Sequence, residues 1–161
     1  MLIRNATTAD IPDILRLLVQ VCDIHAEIRP DIFRLGGVKY TESDLLEILS
    51  DESRPIWCAV DEDKFLGYCF CQWVEYRDST VSTDRRELYI DDLCVDESVR
   101  GRGVATTQFA HVRFMARLEG TDFITLNVWQ GNDSALRFYQ KMGMTPRKTI
   151  LELPLEDRIC F

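Results

Sequence analysis

Hydrophobic positions follow helical spacing in some stretches of the chain and strand-like runs in others. Residues 7–25 predict a helix with apolar side chains on one face, at Ile11, Ile14, Leu15, Leu18, Val21 and Cys22. A capping box at 41–44 predicts a second helix, which carries Leu45, Leu46 and Leu49. Residues 2–6, 56–60 and 65–74 predict strands, and a hairpin turn at 61–64 joins the last two.

The second half of the chain continues this alternation. Residues 88–95 predict a buried strand, and a helix follows with Val104, Phe109, Val112 and Ala116 on its apolar face. Residues 123–128 predict a strand and 132–142 a helix, and further strands are expected at 145–153 and 158–161.

The resulting order is β-α-α-β-β-β-α-β-α-β-β, which predicts an α/β (α+β) fold. Its central sheet is mixed but mostly antiparallel, with helices on both faces. Because a helix joins the strands at 88–95 and 123–128, these two should run parallel.

Composition narrows the class of protein. A chain of 161 residues is expected to form a single domain, 1–161. The net charge of −8 argues against nucleic-acid and anionic membrane partners. The sequence lacks both a signal-peptide pattern and an apolar run long enough to span a membrane, so a cytoplasmic location is expected. Six cysteines without a Cys-x-x-Cys pair, and only two histidines, give no zinc spacing, so no metal is expected.

A glycine-rich turn lies between the strand at 88–95 and the helix after it. Gly101 and Gly103 let the backbone turn tightly, and the helix start presents unpaired N–H groups at its positive end. Such a site binds phosphate or pyrophosphate, and Arg100 and Arg102 add positive charge. The turn lacks the lysine and hydroxyl of a P-loop, and Thr106 stands where a dinucleotide fingerprint needs a third glycine.

The pattern Arg100-x-x-Gly103-x-Ala105 resembles the acetyl-CoA loop of the GNAT superfamily of N-acyltransferases, although many members have glycine in place of Ala105. A second stretch resembles another GNAT motif: Leu126-Asn127-Val128-x-x-x-Asn132-x-x-Ala135-x-x-Phe138-Tyr139-x-x-x-Gly143-Met144. Residues 3–14 are similar to the opening of many GNAT proteins, so the resemblance covers nearly the whole chain.

This resemblance implies an acetyl-CoA-dependent N-acetyltransferase whose parallel strand pair splays apart at one end. The pantetheine arm would pair with the backbone at Leu93 to Val95, and the pyrophosphate would bind the loop amides. Asn132 would bond the pantetheine, and Tyr139 would lie near the sulfur. The cofactor-binding residues are then expected to be Leu93, Cys94, Val95, Arg100, Gly101, Arg102, Gly103, Val104, Ala105, Thr106, Asn132, Ala135 and Tyr139. A homodimer is implied in the same way.

Acetyl transfer to an amine needs a base for the ammonium proton and an acid for the departing thiolate. Tyr139 is the expected acid, and Asp91 and Asp92 are the candidate bases. Strand alternation places Tyr89, Asp91, Leu93 and Val95 on one face and Leu88, Ile90, Asp92 and Cys94 on the other, unless a bulge intervenes. In the resembled fold the position of Asp91 often carries an acid that faces the acceptor, which favours Asp91 as the base.

Two other functions stay open: a non-catalytic module that senses acyl-CoA, and a nucleotide-dependent transferase that uses the glycine loop. Tyr139 can also be a core residue and Asn132 only a helix cap. Residues 29–33 are either a substrate lid or ordinary loop packing. The partner is expected to be an amine on a small molecule or a protein.

Overall fold

The computed structural model describes residues 1–155. Its five strands form one sheet in the order β1-β2-β3-β4-β5. The strands are β1 Leu2–Asn5, β2 Ile56–Asp61, β3 Lys64–Tyr76, β4 Arg85–Val95 and β5 Phe123–Leu126. Neighbouring strands are antiparallel except β4 and β5, which are parallel. The predicted mixed, mostly antiparallel sheet is confirmed.

Helices cover both faces of the sheet: α1 Ile11–Ile28, α2 Glu42–Leu49, α3 Val104–Leu118 and α4 Asp133–Lys141. On one face, α1 and α2 pack over a core formed by Ile11, Ile14, Leu17, Leu18, Leu45, Ile48, Ile56, Cys58, Tyr68, Phe70 and Cys94. On the other, α3 and α4 pack over Trp57, Cys69, Cys71, Leu88, Ile90, Phe109, Val112 and Ala116.

The helix starts follow from local hydrogen bonding. The Thr41 hydroxyl accepts a bond from the Asp44 amide at 3.2 Å, and the Asp44 carboxylate accepts one from the Thr41 amide at 2.7 Å. The predicted capping box at the start of α2 is therefore confirmed. A 3-10 turn, Thr8–Asp10, precedes α1, and Pro12 lies in the first helical turn, where its missing N–H is harmless.

A β-bulge at Asp91 reverses the side-chain alternation of β4. Cys71 pairs with Ile90 and Phe70 pairs with Asp92, so Asp91 is the extra residue on β4. Ile90 therefore faces α3 and α4, whereas Cys94 faces α1 and α2. The alternation expected from the sequence placed Ile90 and Cys94 on one face of β4 and placed Asp91 and Asp92 on opposite faces. Both assignments are wrong. An inserted residue shifts a period-two pattern by one position.

The parallel pair separates beyond the bulge. β4 pairs with β5 from Glu87–Phe123 to Ile90–Leu126 and no further. The segment of β4 from Asp91 to Val95 has no pairing with β5, which confirms the predicted splay.

Residues 145–153 do not form the predicted strand. Strand propensity yields a strand only where a partner supplies hydrogen bonds, and none of residues 1–155 pairs with this segment. The strand predicted at 158–161 lies outside the described residues. Among residues 1–155, no helix has the length and apolar character needed to cross a membrane.

A buried carboxylate anchors the start of β4. Glu87 is only 3% exposed, and it accepts hydrogen bonds from Arg85 at 2.6 Å and from Arg147 at 2.8 and 2.9 Å. Thr125 of β5 donates a further bond at 3.2 Å. The bonds from Arg147 lower the pKa of Glu87 to about 2, against the opposing effect of burial.

Replacing Glu87 with glutamine should destabilise the fold by about 2–3 kcal/mol at pH 7, because two guanidinium groups lose their anion. The native pKa lies below the ordinary value of 4.5, so the stabilisation is present above pH 4.5 and is lost as the pH falls through about 2. Urea denaturation at several pH values measures the difference in free energy of unfolding between the wild type and Glu87→Gln. This difference should become smaller in acid. Glu75→Gln, at an exposed ion pair, should change stability by less than about 1 kcal/mol. An equal loss of stability in Glu87→Gln at pH 7 and at pH 3 would contradict the electrostatic explanation.

Candidate functional site

The turn between β4 and α3 leaves backbone N–H groups without partners. Gly101 and Gly103 both have left-handed backbones, with φ of 77° and 81°. Gly103 is the N-cap of α3 and provides no side-chain cap. Thr107 is the first residue of α3 whose amide is bonded, to the Gly103 carbonyl at 3.0 Å.

Within residues 1–155, the N–H groups from Gly101 to Thr106 donate to no acceptor, and the exposed Arg100 and Arg102 form no ion pair. Free amides, a helix N-terminus and two free guanidinium groups together form a site for an anion. The geometry therefore fits a pyrophosphate, as the sequence predicts.

The end of β4 is held from the α1 side. Gln20 donates to the Val95 carbonyl at 3.0 Å and accepts from the Glu97 amide at 3.1 Å. The Cys94 thiol is directed towards α1, where it lies 3.7 Å from the Leu17 carbonyl. On the splayed edge of β4, Cys94 can therefore offer a bound molecule only its backbone. The Leu93 side chain packs against the core beneath α3.

The second motif lies at the start of α4. The Asn132 side chain accepts a bond from the Ala135 amide at 3.2 Å, so it is the helix cap. Its two N–H donors have no partner within residues 1–155. Asn132 can therefore cap α4 and donate to a bound molecule at the same time.

Tyr139 packs its ring against Phe109 and Phe138 in the core beneath α3 and α4. The hydroxyl has no hydrogen-bond partner in the described part of the chain. Burial raises the pKa of Tyr139, and the charge of Asp92 adds to the effect. The phenol stays protonated at neutral pH and can donate its proton to a more basic group.

Two acid and phenol pairs lie at the bulge, on the side of α1 and α2. The Tyr40 hydroxyl donates to Asp91 at 2.6 Å, and Lys39 forms an ion pair with the same carboxylate at 2.8 Å. The Tyr68 hydroxyl donates to Asp92 at 2.9 Å. The bulge thus brings both carboxylates to one side of the sheet.

Desolvation raises the pKa of Asp92 to about 6, and the Asp91 charge adds to the increase. The charge of Lys39 and the bond from Tyr68 oppose it. Asp92 is therefore a carboxylate that can exchange a proton near neutral pH.

Lys39, Tyr40, Tyr68 and Gln20 belong to this site, and the sequence analysis did not find them. No motif or spacing marks these residues. Tyr40 comes from the loop before α2 and Tyr68 from β3, so only the fold brings them to the bulge.

Residues 29–33 contact the segment that follows β5. Phe33 packs between His25 and Trp129, with ring centroids 5.1 Å from each. Arg29 lies over Trp129 at 5.9 Å and pairs with Asp31. The loop thereby connects the end of α1 to the segment that follows β5.

A family model described as the acetyltransferase (GNAT) family matches residues 18–144, most of the chain. The chain belongs to the GNAT acetyltransferase family. Members of this family use acetyl-CoA, and the free amides and arginines of the α3 turn fit its pyrophosphate. Within residues 1–155, no group of three or more His, Cys, Asp or Glu side chains could hold a metal ion.

Comparison with similar proteins supports this GNAT assignment. N-alpha-acetyltransferase 30 of Schizosaccharomyces pombe is 27% identical over 103 residues, which span 64% of this chain and 65% of that protein. A crystal structure of a mutant BH1408 protein from Bacillus halodurans is 33% identical, with a TM-score of 0.93 over 97% of this chain and 100% of that one.

An aminoglycoside acetyltransferase from an uncultured soil metagenomic sample, in complex with sisomicin, has the same fold at 16% identity. Its TM-score is 0.68 over 98% of this chain and 96% of that one.

Replacing Gly103 with valine should weaken CoA binding by about tenfold or more, which is about 1.4 kcal/mol. A Cβ at this position meets no protein atom within 4 Å, but valine strains a backbone with φ of 81° and adds a branched side chain beside the free amides. Calorimetric titration with CoA measures the effect. Gly120→Val is the matched control, because Gly120 is also left-handed and uncrowded but follows the far end of α3. Equal CoA affinity in wild type and Gly103→Val would contradict the site.

Proposed function

We propose that this protein transfers an acetyl group from acetyl-CoA to a primary amine by direct attack in a ternary complex, within a single domain of residues 1–161. One observation carries the proposal: the splay of β4 from β5 lies beside an anion-binding turn, a free phenol at Tyr139 and a carboxylate with a pKa of about 6 at Asp92.

Acetyl-CoA supplies an activated thioester, and the protein orients it. The amides from Gly101 to Thr106 and the side chains of Arg100 and Arg102 would hold the pyrophosphate. The unpaired edge of β4 at Leu93, Cys94 and Val95 would pair with the pantetheine arm, and Asn132 and Ala135 would contact it at the start of α4. The Val95 amide can polarise the thioester carbonyl.

The pKa values indicate which residues take and give the two protons of the reaction. An amine reaches the site protonated and must lose one proton before it attacks. We assign this proton to Asp92, because desolvation brings its pKa to about 6. Asp91, which the sequence favoured, instead holds Lys39 and Tyr40 in place at the bulge. Tyr139 donates its proton to the departing thiolate.

The amine belongs to a small molecule or a protein. The relative from Schizosaccharomyces pombe is named as an N-alpha-acetyltransferase, and the metagenomic structure as an aminoglycoside acetyltransferase. Peptide N-termini and aminoglycosides are therefore the first acceptors to test. The cytoplasmic location and the absence of nucleic-acid and membrane partners stay predictions from composition.

Release of free CoA thiol from acetyl-CoA, measured across a panel of amines, tests the proposed reaction. Release that depends on one of the amines supports it. Tight CoA binding without release for any amine would instead favour an acyl-CoA sensor, and displacement of CoA by ATP would favour a nucleotide-dependent enzyme.

Tyr139→Phe should lower kcat by about 10²-fold, the usual contribution of a general acid, and leave CoA affinity unchanged. The ring that packs on Phe109 is retained, so the fold should keep its stability. Steady-state kinetics and calorimetry measure the two quantities. Tyr76→Phe, at the far end of β3, is the control and should have wild-type kinetics. Wild-type turnover in Tyr139→Phe would return this residue to a packing role.

Asp92→Asn should remove the acidic limb of the kcat/KM profile, which is expected near pH 6. The same change should stabilise the fold. The native pKa of about 6 exceeds the ordinary 3.8, so the contribution of Asp92 to stability is present below pH 3.8 and is lost as the pH rises through about 6. The variant should therefore gain up to about 3 kcal/mol above pH 6 and little below pH 4.

Asp91→Asn is the matched control for Asp92, because it alters the neighbouring carboxylate. It should slow the reaction but retain the acidic limb. Loss of the limb in Asp91→Asn alone would make Asp91 the base, and an unchanged profile in both variants would place the base elsewhere.

A further inference from the structure

One lysine of the chain lies beside the candidate catalytic carboxylates. The Lys39 Nζ is 2.8 Å from the Asp91 carboxylate and 3.3 Å from the Asp91 backbone carbonyl. The chain has three other lysines, Lys64, Lys141 and Lys148, and none of them forms an ion pair within residues 1–155. Lys39 is thus the lysine whose amine is held at the bulge of β4.

The position of the bulge brings this amine close to the backbone that would hold the thioester. The pyrophosphate site follows Val95 in the chain, so the thioester end of the pantetheine arm would lie at Leu93, nearer to the bulge. Asp91 is two residues before Leu93, and two residues of a strand span about 7 Å. The Lys39 side chain is 44% exposed, and its flexible four-carbon stem can cover such a distance.

The charge of Lys39 also acts on the proposed base. Desolvation raises the pKa of Asp92 to about 6, and the Lys39 charge is the largest influence in the opposite direction. The other groups that act on Asp92 are Tyr68 of β3, which donates to it, and Asp91 on β4. On the side of α4, the Asp92 charge contributes to the raised pKa of Tyr139. Asp92 is therefore close enough to interact with both an amine and the proposed acid.

We propose that Lys39 is a self-acetylation site, to which the protein transfers an acetyl group from acetyl-CoA when no other amine is present. This inference rests on the proposed function, since it uses the same base and acid. An amine held at the catalytic carboxylates of its own chain needs no binding step, so its effective concentration is high.

The reaction balances in atoms and charge. The Lys39 ammonium loses one proton to Asp92, and the neutral Nζ attacks the carbonyl carbon of the thioester. An N–C bond forms, the C–S bond breaks, and Tyr139 gives its proton to the departing thiolate. The nitrogen then loses a second proton to water, Tyr139 recovers one from water, and Asp92 releases one. The sum is one amide, one free CoA thiol and one proton.

Acetylation of Lys39 would change the site that performs it. The amide carries no charge, so the ion pair with Asp91 is lost. The charge that lowers the pKa of Asp92 is removed as well, and this pKa should rise further. The modified protein would therefore need a higher pH to ionise its base, which makes the modification a brake on the reaction.

Mass spectrometry of the whole chain after incubation with acetyl-CoA, without an added amine, tests the proposal. One acetyl group per chain should appear at Lys39, with a first-order rate constant that does not depend on protein concentration. Tyr139→Phe should slow the labelling by about 10²-fold. Lys39→Arg should abolish it, whereas Lys64→Arg, at an exposed lysine that begins β3, is the matched control and should label at the wild-type rate.

Carbon-13 NMR of the Asp92 carboxyl provides a readout that needs no turnover. Lys39→Gln removes the charge, as acetylation does, and Lys39→Arg retains it. The titration midpoint of Asp92 should therefore lie at higher pH in Lys39→Gln than in Lys39→Arg. Equal midpoints in the two variants would overturn the regulatory effect of the modification.

The labelling pattern separates this inference from the proposed function. Equal labelling of all four lysines, at a rate that Tyr139→Phe does not change, is chemical acetylation and overturns the inference. A rate constant that rises with protein concentration means transfer between chains and also overturns it. Unlabelled Lys39 in a protein that releases CoA thiol with an added amine overturns the inference and leaves the proposed function intact. Absence of both label and release contradicts both.

Discussion

The extra residue at Asp91 is the constraint on which the site depends. It breaks the register between β3 and β4 directly after Ile90, the residue at which the pairing of β4 with β5 ends. It also places both Asp91 and Asp92 on the side of α1 and α2, where Tyr40 and Tyr68 bind them. Without the bulge, regular alternation would present these carboxylates to opposite faces of the sheet.

The two ends of β4 show how one strand combines stability with reactivity. Glu87 lies before the bulge, where two arginines neutralise it and lower its pKa to about 2. Asp92 lies after the bulge, where a phenol is its hydrogen-bond partner and desolvation raises its pKa to about 6. Glu87 is buried and Asp92 is partly buried, and the bound guanidinium groups lower the pKa of Glu87, whereas desolvation without such a group raises the pKa of Asp92.

Helices on opposite faces supply different parts of the site. α1 holds the end of β4 through Gln20, and α3 presents the free amides that follow from the left-handed glycines. α4 contributes Asn132 and Tyr139 from the far side of the splay. This arrangement fits the proposed direct transfer, in which an acceptor and acetyl-CoA would approach from different sides and meet where β4 leaves β5.

The sequence by itself determined those features that depend on local pattern. Within residues 1–155, local sequence pattern located the four helices and the five strands, and the order of elements predicted the parallel pair. The glycines of the α3 turn and the Asn132 cap were also identified, because backbone conformation and capping are encoded within a few residues. Likewise, the resemblance to the GNAT family depended on motifs that are contiguous in the chain.

Only the tertiary structure decided the faces of β4, because a bulge depends on how two distant strands align and no period-two pattern records it. It also decided that Lys39, Tyr40, Tyr68 and Gln20 surround the carboxylates, and that the pKa values of Glu87 and Asp92 shift in opposite directions. The segment at 145–153 has the composition of a strand but remains unpaired within the described residues. Strand propensity is a property of the sequence, whereas a strand exists only where another backbone lies beside it.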